Sequence, residues 1–280
     1  MDSIFASRRG RRFPLNGLSF SFLFLLTSLI SCSDSSTPMT ALHAPPENMF
    51  DILFIGSSFL AYGETDVVAT LVDFAARGGK AISTQRRILS GYRLERHVED
   101  QKTLSAIRSK EWDCVILQGT GLYLAKEEWH PRVFPHLAEF TSVIRERSPE
   151  ARIIYMMPWA FKDGLLWLEG ETLTYTQMQE ALIQVAADFA DSLAISVAPV
   201  GLAWHQTILA GYENDLFFTD NSHQSTFGAY LTACVFYVTL FQEPIPAVEF
   251  PNRDGLESYQ PLNDIAYTTV IEDRERWNIH

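Results

Sequence analysis

From Asp51 onward, short apolar runs alternate with longer segments in which apolar side chains recur at helical spacing. Apolar runs of about 4 to 8 residues are typical of buried strands, and recurrence every three or four residues is typical of helices that bury one face. The predicted strands are 51–55, 81–88, 113–118, 152–157 and 194–199. The predicted helices are 66–77, 101–109, 131–147, 175–192, 226–241 and 262–277. Strands that alternate with crossover helices predict a three-layer α/β/α fold around a mainly parallel, five-stranded sheet.

The chain has no internal repeat or break in composition after residue 50, so we predict one domain over residues 50–280. Its 280 residues are 47% hydrophobic and 20% charged. This composition is that of an ordinary globular protein, and it excludes disordered and fibrous architectures.

The N-terminus carries a predicted export signal. Four arginines within the first 12 residues precede an apolar run at 18–30, which is too short to span a bilayer. The run ends in Leu-Ile-Ser before Cys32, which resembles the bacterial lipobox. We therefore predict a signal peptide over 1–31 and a flexible tether over 32–49 that is lipidated at Cys32. A plain signal peptide with an incidental cysteine and twin-arginine export are the alternatives.

The charge balance limits the partners. The chain has 22 basic and 34 acidic residues, a net charge of −12, which would repel a phosphate backbone, so we expect no nucleic-acid partner. Four of the basic residues and one acidic residue lie in 1–31, so the remaining 249 residues carry a net charge of −15. Anionic headgroups would repel this surface, and membrane attachment would come from the lipid on Cys32. Cys114 and Cys234 lie in apolar runs, so we predict that they are small core residues. A disulfide between them is the alternative.

The candidate chemistry lies in loops that follow the predicted strands, where ligands bind in parallel α/β sheets. Ser58 follows the first strand, and Asp220 and His223 share one loop before a predicted helix. A serine becomes a nucleophile when an imidazole takes its proton and a carboxylate orients that imidazole. The alternative is that the Asp-x-x-His segment only caps a helix.

At these residues the sequence resembles the SGNH/GDSL hydrolase superfamily. Gly56-Ser57-Ser58 matches the first block, which implies that Ser58 is the nucleophile. Gly91 matches the second block, whose glycine N–H binds the oxyanion together with that of the nucleophile. Asp220 and His223 match the final block, which implies orienter and base. The resemblance implies a flavodoxin-like α/β/α fold, ester hydrolysis and no cofactor.

Two positions depart from that pattern. Ser57 stands where the superfamily has Asp or Asn. The third block, expected after strand three, lacks its asparagine, whose side chain donates to the oxyanion. The side chain of Gln118 is the first candidate to replace this donor, and Thr120 or a backbone N–H near Gly121 is the second.

The expected function is an exported, lipid-anchored serine esterase that removes short acyl groups, such as acetyl, from a glycan or another small ester. A lipid acyl-ester hydrolase and a non-catalytic cell-envelope binding module are the alternatives.

The remaining histidines and several aromatic side chains lie outside the predicted triad. We predict that His97 is a hydrogen-bonded structural residue. His130, His136 and His205 are scattered, so no metal site is expected. Several aromatic residues follow strands three and four and form either a hydrophobic lid or a wall for an acyl chain or sugar ring. They are Tyr123, Trp129, Trp159, Phe161 and Trp167.

Overall fold

Five parallel strands form the central sheet of the computed structural model, which describes residues 49–119, 124–166, 172–247 and 259–280. The strands are β1 (Phe50–Gly56), β4 (Ile82–Ile88), β5 (Cys114–Gln118), β6 (Arg152–Met156) and β9 (Ser196–Ala198), in the order β4-β1-β5-β6-β9. All pairs are parallel. The predicted five-stranded parallel sheet is confirmed. The predicted signal peptide, Cys32 and the tether lie outside the described residues.

Two short antiparallel pairs stand apart from the sheet. They are β2 (Ala61–Tyr62) with β3 (Thr65–Asp66), and β7 (Leu165–Leu166) with β8 (Thr172–Leu173). Neither pair was predicted from the sequence. The first pair begins at Ala61, three residues after Ser58, and therefore lies close to the predicted nucleophile.

The helices are α1 (Val67–Arg77), α2 (Leu94–Glu99), α3 (Gln101–Arg108), α4 (Phe134–Arg147), α5 (Tyr175–Leu193), α6 (Val200–Leu209), α7 (Glu213–Leu216), α8 (Thr226–Phe241) and α9 (Gln260–Glu272). A 3₁₀ helix spans Glu127–Arg132. Helix α8 packs against α1 and α9, while α4 packs against α3 and α5. These two groups complete the predicted three layers. Among the described residues, no helix is both long and apolar enough to cross a membrane.

The core lies on both faces of β1 and β5. Every residue of β5 and the last five of β1 are buried, which explains why both strands read as continuous apolar runs. Strand β4 lies at the edge and keeps polar side chains. Helix α8 is buried from Gly228 to Leu240, so its apolar side chains surround the whole helix axis. Cys114 and Cys234 are buried free thiols, as the core prediction required.

Several predicted boundaries differ from those in the structure, and three of them show why. Helix α4 begins at Phe134 instead of residue 131, because Pro135 has no N–H for an intrahelical bond and is tolerated only in the first turn. Strand β9 begins at Ser196 because Ala194 adopts a left-handed conformation (φ 50°) that ends α5. Helix α9 ends at Glu272 instead of residue 277. The carbonyl of Trp277 lies beyond the helix and accepts a hydrogen bond from the N–H of Val197 in β9.

Candidate active site

The carboxyl ends of β1 and β4 bring the first two predicted site loops together. Gly56 pairs with Ile88 in the sheet, and the N–H of Leu89 donates to the carbonyl of Gly56 at 2.9 Å. The loop that carries Gly91 therefore starts beside the loop that carries Ser58. Strand order reverses around β1, with β4 on one side and β5 on the other, and ligands bind at such a switch point.

Ser58 lies on a tight turn immediately after β1. The N–H of Leu60 donates to the carbonyl of Ser57 at 3.0 Å, which closes the turn. The side chain of Ser58 is mostly shielded from solvent, with 7% of the residue exposed. Its Oγ lies 2.8 Å from Nε2 of His223, which is hydrogen-bond distance for a nucleophile and its base.

The base comes from the short loop between α7 and α8. Phe217 bridges to Gln224, and Phe218 donates its N–H to the carbonyl of His223 at 2.8 Å. Asn221 takes a left-handed conformation (φ 57°) at the tip, which asparagine tolerates better than most residues. Ser225 then caps α8 by accepting from the N–H groups of Phe227 and Gly228.

Asp220 holds His223 in one tautomer. Its Oδ2 lies 2.7 Å from Nδ1 of His223, and its Oδ1 accepts from the N–H groups of Ser222 and His223. Partial burial raises the pKa of Asp220, but these hydrogen bonds outweigh burial and hold the pKa at about 2. An ionised carboxylate only accepts, so Nδ1 carries the proton and Nε2 is free to accept the proton of Ser58.

A second contact joins the base loop to the nucleophile loop. The side-chain amide of Gln224, which is fully buried, donates to the carbonyl of Ser58 at 3.0 Å. This bond fixes the backbone of Ser58 relative to the residue that follows His223. Gln224 could not be predicted from the sequence, because a glutamine beside a candidate catalytic histidine has no distinctive spacing.

The predicted oxyanion donors are available for binding. Within the described part of the chain, neither the N–H of Ser58 nor that of Gly91 donates to another protein group. Gly91 has a φ of +71°, which explains the glycine, since a side chain would find open space but a strained backbone. Two unengaged N–H groups on adjacent loops suit the binding of a developing negative charge.

Gln118 is placed differently from its predicted role. Its Oε1 accepts from the N–H of Ser57 at 2.7 Å and from the Oγ of Ser57 at 3.0 Å, and its Nε2 donates to the carbonyl of Gly119. The amide is therefore engaged at both ends, and its contacts support the nucleophile loop instead of a bound oxygen. The two other candidates for the third donor, Thr120 and Gly121, lie outside the described residues.

Gln118 also explains the glycine at the end of β1. A Cβ atom at Gly56 would lie 2.7 Å from Oε1 of Gln118 and 2.9 Å from Cδ1 of Leu60. The nucleophile loop and Gln118 thus pack too closely for any larger residue. Ser57, which departs from the superfamily pattern, has both its N–H and its hydroxyl committed to Gln118.

We expect Gln118→Ala to lower both stability and turnover. The substitution leaves the buried N–H of Ser57 without its partner, which costs roughly 1–3 kcal/mol. Turnover per folded molecule should fall about 10-fold, since a loop shift of about 1 Å can cost up to about 100-fold. Thermal unfolding and kinetics on an aryl ester measure the two effects.

Ser57→Ala is the matched control, because it removes only the hydroxyl bond to Gln118 and keeps the N–H bond. Its losses should be smaller in both measurements. If Gln118→Ala lowers turnover at unchanged stability, Gln118 is an oxyanion donor, as the sequence predicted, and its supporting role is wrong.

His97 is confirmed as a buried structural histidine. Its Nε2 donates to the carbonyl of Gly56 at 2.9 Å, and its Nδ1 lies 3.2 Å from the hydroxyl of Thr103. Burial lowers the pKa of His97 despite the bond to Gly56, and the charge of Arg87 lowers it further. A neutral His97 therefore anchors the end of β1 just before the nucleophile loop.

Of the aromatic residues predicted near the site, two lie in or against the core and the other three side chains lie outside the described residues. Trp159 is fully buried and stacks on Trp204, with ring centroids 4.1 Å apart, and its Nε1 donates to the carbonyl of Ser222. Trp159 supports the base loop through this hydrogen bond. Because its ring is buried, neither face is available to a substrate. Phe161 packs partly buried against the core. Tyr123, Trp167 and the side chain of Trp129 lie outside the described residues.

The chain has the fold of the SGNH hydrolases, with a Ser-His-Asp arrangement at the carboxyl ends of its parallel strands. No protein-family model matches the chain, and the curated proteins include no significant match.

Solved structures share the fold at low sequence identity. A DUF4886 family protein from Bacteroides uniformis is 16% identical, with a TM-score of 0.65 over 81% of this chain and 96% of that one. A protein from Slackia heliotrinireducens described as an SGNH hydrolase is 19% identical, with a TM-score of 0.55 over 69% of this chain and all of that one. A variant of an acetyl-xylooligosaccharide esterase from Geobacillus is 18% identical, with a TM-score of 0.51 over 71% and 97%. The predicted resemblance is confirmed at the level of the fold.

Proposed function

We propose that the protein is a serine ester hydrolase. The observation that carries this proposal is the continuous hydrogen-bonded chain from Ser58 Oγ through His223 to Asp220, with distances of 2.8 and 2.7 Å. A helix-capping role for the Asp-x-x-His segment needs no contact with Ser58, and Ser225 already caps α8. The contact with Ser58 therefore favours catalysis over the structural alternative.

The reaction follows from the tautomer of the base. Nε2 of His223 takes the proton of Ser58 as Oγ bonds to the ester carbonyl carbon, and the carbonyl oxygen becomes an oxyanion. The N–H groups of Ser58 and Gly91 donate to this oxyanion. When the intermediate collapses, the C–O bond breaks and Nε2 returns the proton to the leaving alcohol. Water, deprotonated by the same nitrogen, then attacks the acyl carbon. The bond between this carbon and Oγ breaks, Nε2 returns the proton to Oγ, and the acid leaves. This chemistry needs no cofactor.

A fluorophosphonate probe tests the proposal directly, because it reacts with activated serines. The purified protein should be labelled at Ser58, and Ser58→Ala should show no labelling. Ser105→Ala, at an exposed serine of α3, is the control and should label like the wild type. A folded wild-type protein that stays unlabelled and hydrolyses no ester would overturn the proposal in favour of a non-catalytic binding module.

We propose short acyl groups, such as acetyl, on a glycan or another small ester as the substrate. The fold shared with an acetyl-xylooligosaccharide esterase and the acidic surface, which is unsuited to anionic lipid headgroups, support this choice. Rates on p-nitrophenyl esters of increasing acyl length test it. A maximum at acetyl is expected, whereas a maximum at octanoyl or longer would favour a lipid acyl ester.

We propose that the protein is exported and anchored to the cell membrane through a lipid on Cys32. The basic start, the short apolar run and the lipobox-like residues before Cys32 support this location. Ser33, where an aspartate would retain the protein at the inner membrane, favours the outer membrane if the host has one.

We expect Cys32→Ser to release the protein from the membrane fraction, because the substitution removes the only thiol in the predicted processing site. Mass spectrometry of the mature wild type should show a lipidated N-terminal Cys32. Ser36→Ala, in the predicted tether, is the control and should remain in the membrane fraction. An unmodified terminus at another residue would contradict lipidation.

A further inference from the structure

Tyr62 covers one face of the proposed base. It lies in β2, four residues after Ser58, and its ring stacks on the imidazole of His223 with centroids 3.7 Å apart and planes 5° apart. Phe59 also contacts the imidazole, at 5.3 Å and 33°. Tyr62 therefore makes the closest and most nearly parallel ring contact with His223 among the described residues.

The two hydrogen bonds of His223 leave one motion of its ring weakly restrained. The bonds at Nδ1 and Nε2 both lie near the plane of the imidazole, so they fix its position within that plane. They resist tilting of the ring about the line between the two nitrogens much less, because hydrogen bonds tolerate moderate bending. A ring stacked on the face blocks such a tilt on that side.

The carboxylate that orients the base also influences Tyr62. Partial desolvation raises the pKa of the Tyr62 phenol, and the proximity and negative charge of Asp220 raise it further. Tyr62 is therefore in ring contact with His223 and within electrostatic reach of Asp220.

The surroundings hold Tyr62 in this position. Its backbone pairs with Thr65 in the β2–β3 hairpin, and the hydroxyl of Thr65 donates to the carbonyl of Tyr62 at 2.7 Å. Asp66 ends the hairpin, caps α1 and pairs with Arg86 of β4. Phe218, from the base loop, packs edge-on against the ring of Tyr62 at 5.4 Å. The hairpin is thereby tied to both the sheet and the base loop.

We propose that Tyr62 is a positioning residue for the base, holding the imidazole of His223 in the plane from which Nε2 reaches Ser58. This inference rests on the proposed function, since positioning has a catalytic effect only if His223 acts as a base. Tyr62 transfers no proton itself and acts through the imidazole of His223.

Two variants separate the ring of Tyr62 from its hydroxyl. Tyr62→Leu removes the stacked face and should lower kcat for p-nitrophenyl acetate roughly 10- to 100-fold, the range expected for a misplaced catalytic group, with little change in KM. Tyr62→Phe keeps the stack and removes only the hydroxyl near Asp220, so it should keep kcat within about 5-fold of wild type, at most the effect of one net hydrogen bond. Tyr267→Leu, at a partly buried tyrosine of α9, is the control and should leave kcat unchanged.

Proton NMR reports the stack without depending on catalysis. The ring protons of His223, assigned by their absence in His223→Gln, should be shifted upfield by the stacked phenol. They should move downfield in Tyr62→Leu and remain shifted in Tyr62→Phe. Thermal midpoints of both variants establish that the chain is folded.

The outcomes distinguish this inference from the proposed function. Wild-type kcat in Tyr62→Leu overturns the positioning role alone, as does a raised KM at unchanged kcat, which would make Tyr62 a wall of the substrate site. An upfield shift that persists in Tyr62→Leu also overturns it. A wild-type protein that neither hydrolyses esters nor reacts with a fluorophosphonate overturns the proposed function and the positioning role with it.

Discussion

Ser58→Ala and His223→Ala should each lower kcat for a short-chain aryl ester by an amount on the order of 10⁶-fold, the loss found when a nucleophile or base is removed from a catalytic triad. The hydroxyl of Ser58 has one hydrogen-bond partner among the described residues, Nε2 of His223. Removing either side chain ends proton transfer from Oγ. Hydrolysis supported by the N–H groups and substrate binding alone should remain on the order of 10³- to 10⁴-fold above the rate in water.

The double variant provides the sharper test of this pair. Because Ser58 and His223 act as one unit, the double alanine variant should be little slower than either single variant. Ser58 is buried but loses only one hydroxyl, and His223 is partly exposed, so the thermal midpoints should stay near that of the wild type. If His223→Ala retains most of the activity, the proposed base is wrong. Ser105→Ala should match the wild type in both rate and stability.

Asp220→Asn should lower kcat on the order of 10⁴-fold, because it favours the wrong tautomer of His223. The carboxylate accepts a hydrogen bond from the Nδ1–H group at 2.7 Å, whereas an amide nitrogen in its place would donate to Nδ1. The proton would then reside on Nε2, which faces Ser58 and could no longer accept. Asp220→Ala should cost less than Ser58→Ala, because Asp220 orients the base and transfers no proton itself.

A neighbouring carboxylate gives the control for Asp220. Asp163 accepts from the side chain of Asn221 at 2.8 Å and makes no contact with His223, so Asp163→Asn should change kcat by less than about 10-fold. Wild-type kcat in Asp220→Asn would contradict the proposed orienting role.

Stability gives a second readout for Asp220. Its pKa in the fold, about 2, lies below the value of roughly 3.9 for an unfolded chain. The ionised carboxylate therefore stabilises the fold above about pH 4, and this contribution disappears as the pH falls through about 2. Asp220→Asn should lower the thermal midpoint at pH 7, and the difference from wild type should narrow between pH 4 and pH 2. A constant difference across this range would contradict the linkage.

The pattern of apolar residues along the chain was sufficient to predict the strands and helices that are buried on all sides or along one continuous face. Strands β1 and β5 are covered on both faces, so burial alone dictates an apolar run, and the sequence shows it. The long helices α5 and α8 were predicted because each carries apolar residues over several turns. Short elements such as β2, α6 and α7 were missed, since two to ten residues carry too little periodic signal against their tertiary contacts.

Most residues of the candidate site could be predicted from the sequence, but the contacts that their side chains make could not. Ser58, Asp220 and His223 stand at loop positions that order along the chain already indicates, because the ends of parallel strands share one edge of the sheet. Gly91 was added by the resemblance to the SGNH/GDSL superfamily. Gln118 ends a buried strand, and its sequence position leaves open whether its amide meets a substrate or the protein. The close approach of β1 and β5 decided this, by placing Oε1 against the N–H of Ser57.

The sequence alone therefore determined the layer architecture, because hydrophobic period is a property of neighbouring positions along the chain, and it indicated the three residues of the proposed triad through loop order and the resemblance to a known superfamily. The tertiary structure decided which groups hold that triad in place. Tyr62 meets His223 across 161 positions of chain, and Gln224 meets Ser58 across 166. Contacts of this kind arise from the packing of separate loops at one end of the sheet, and no local pattern of residues encodes them.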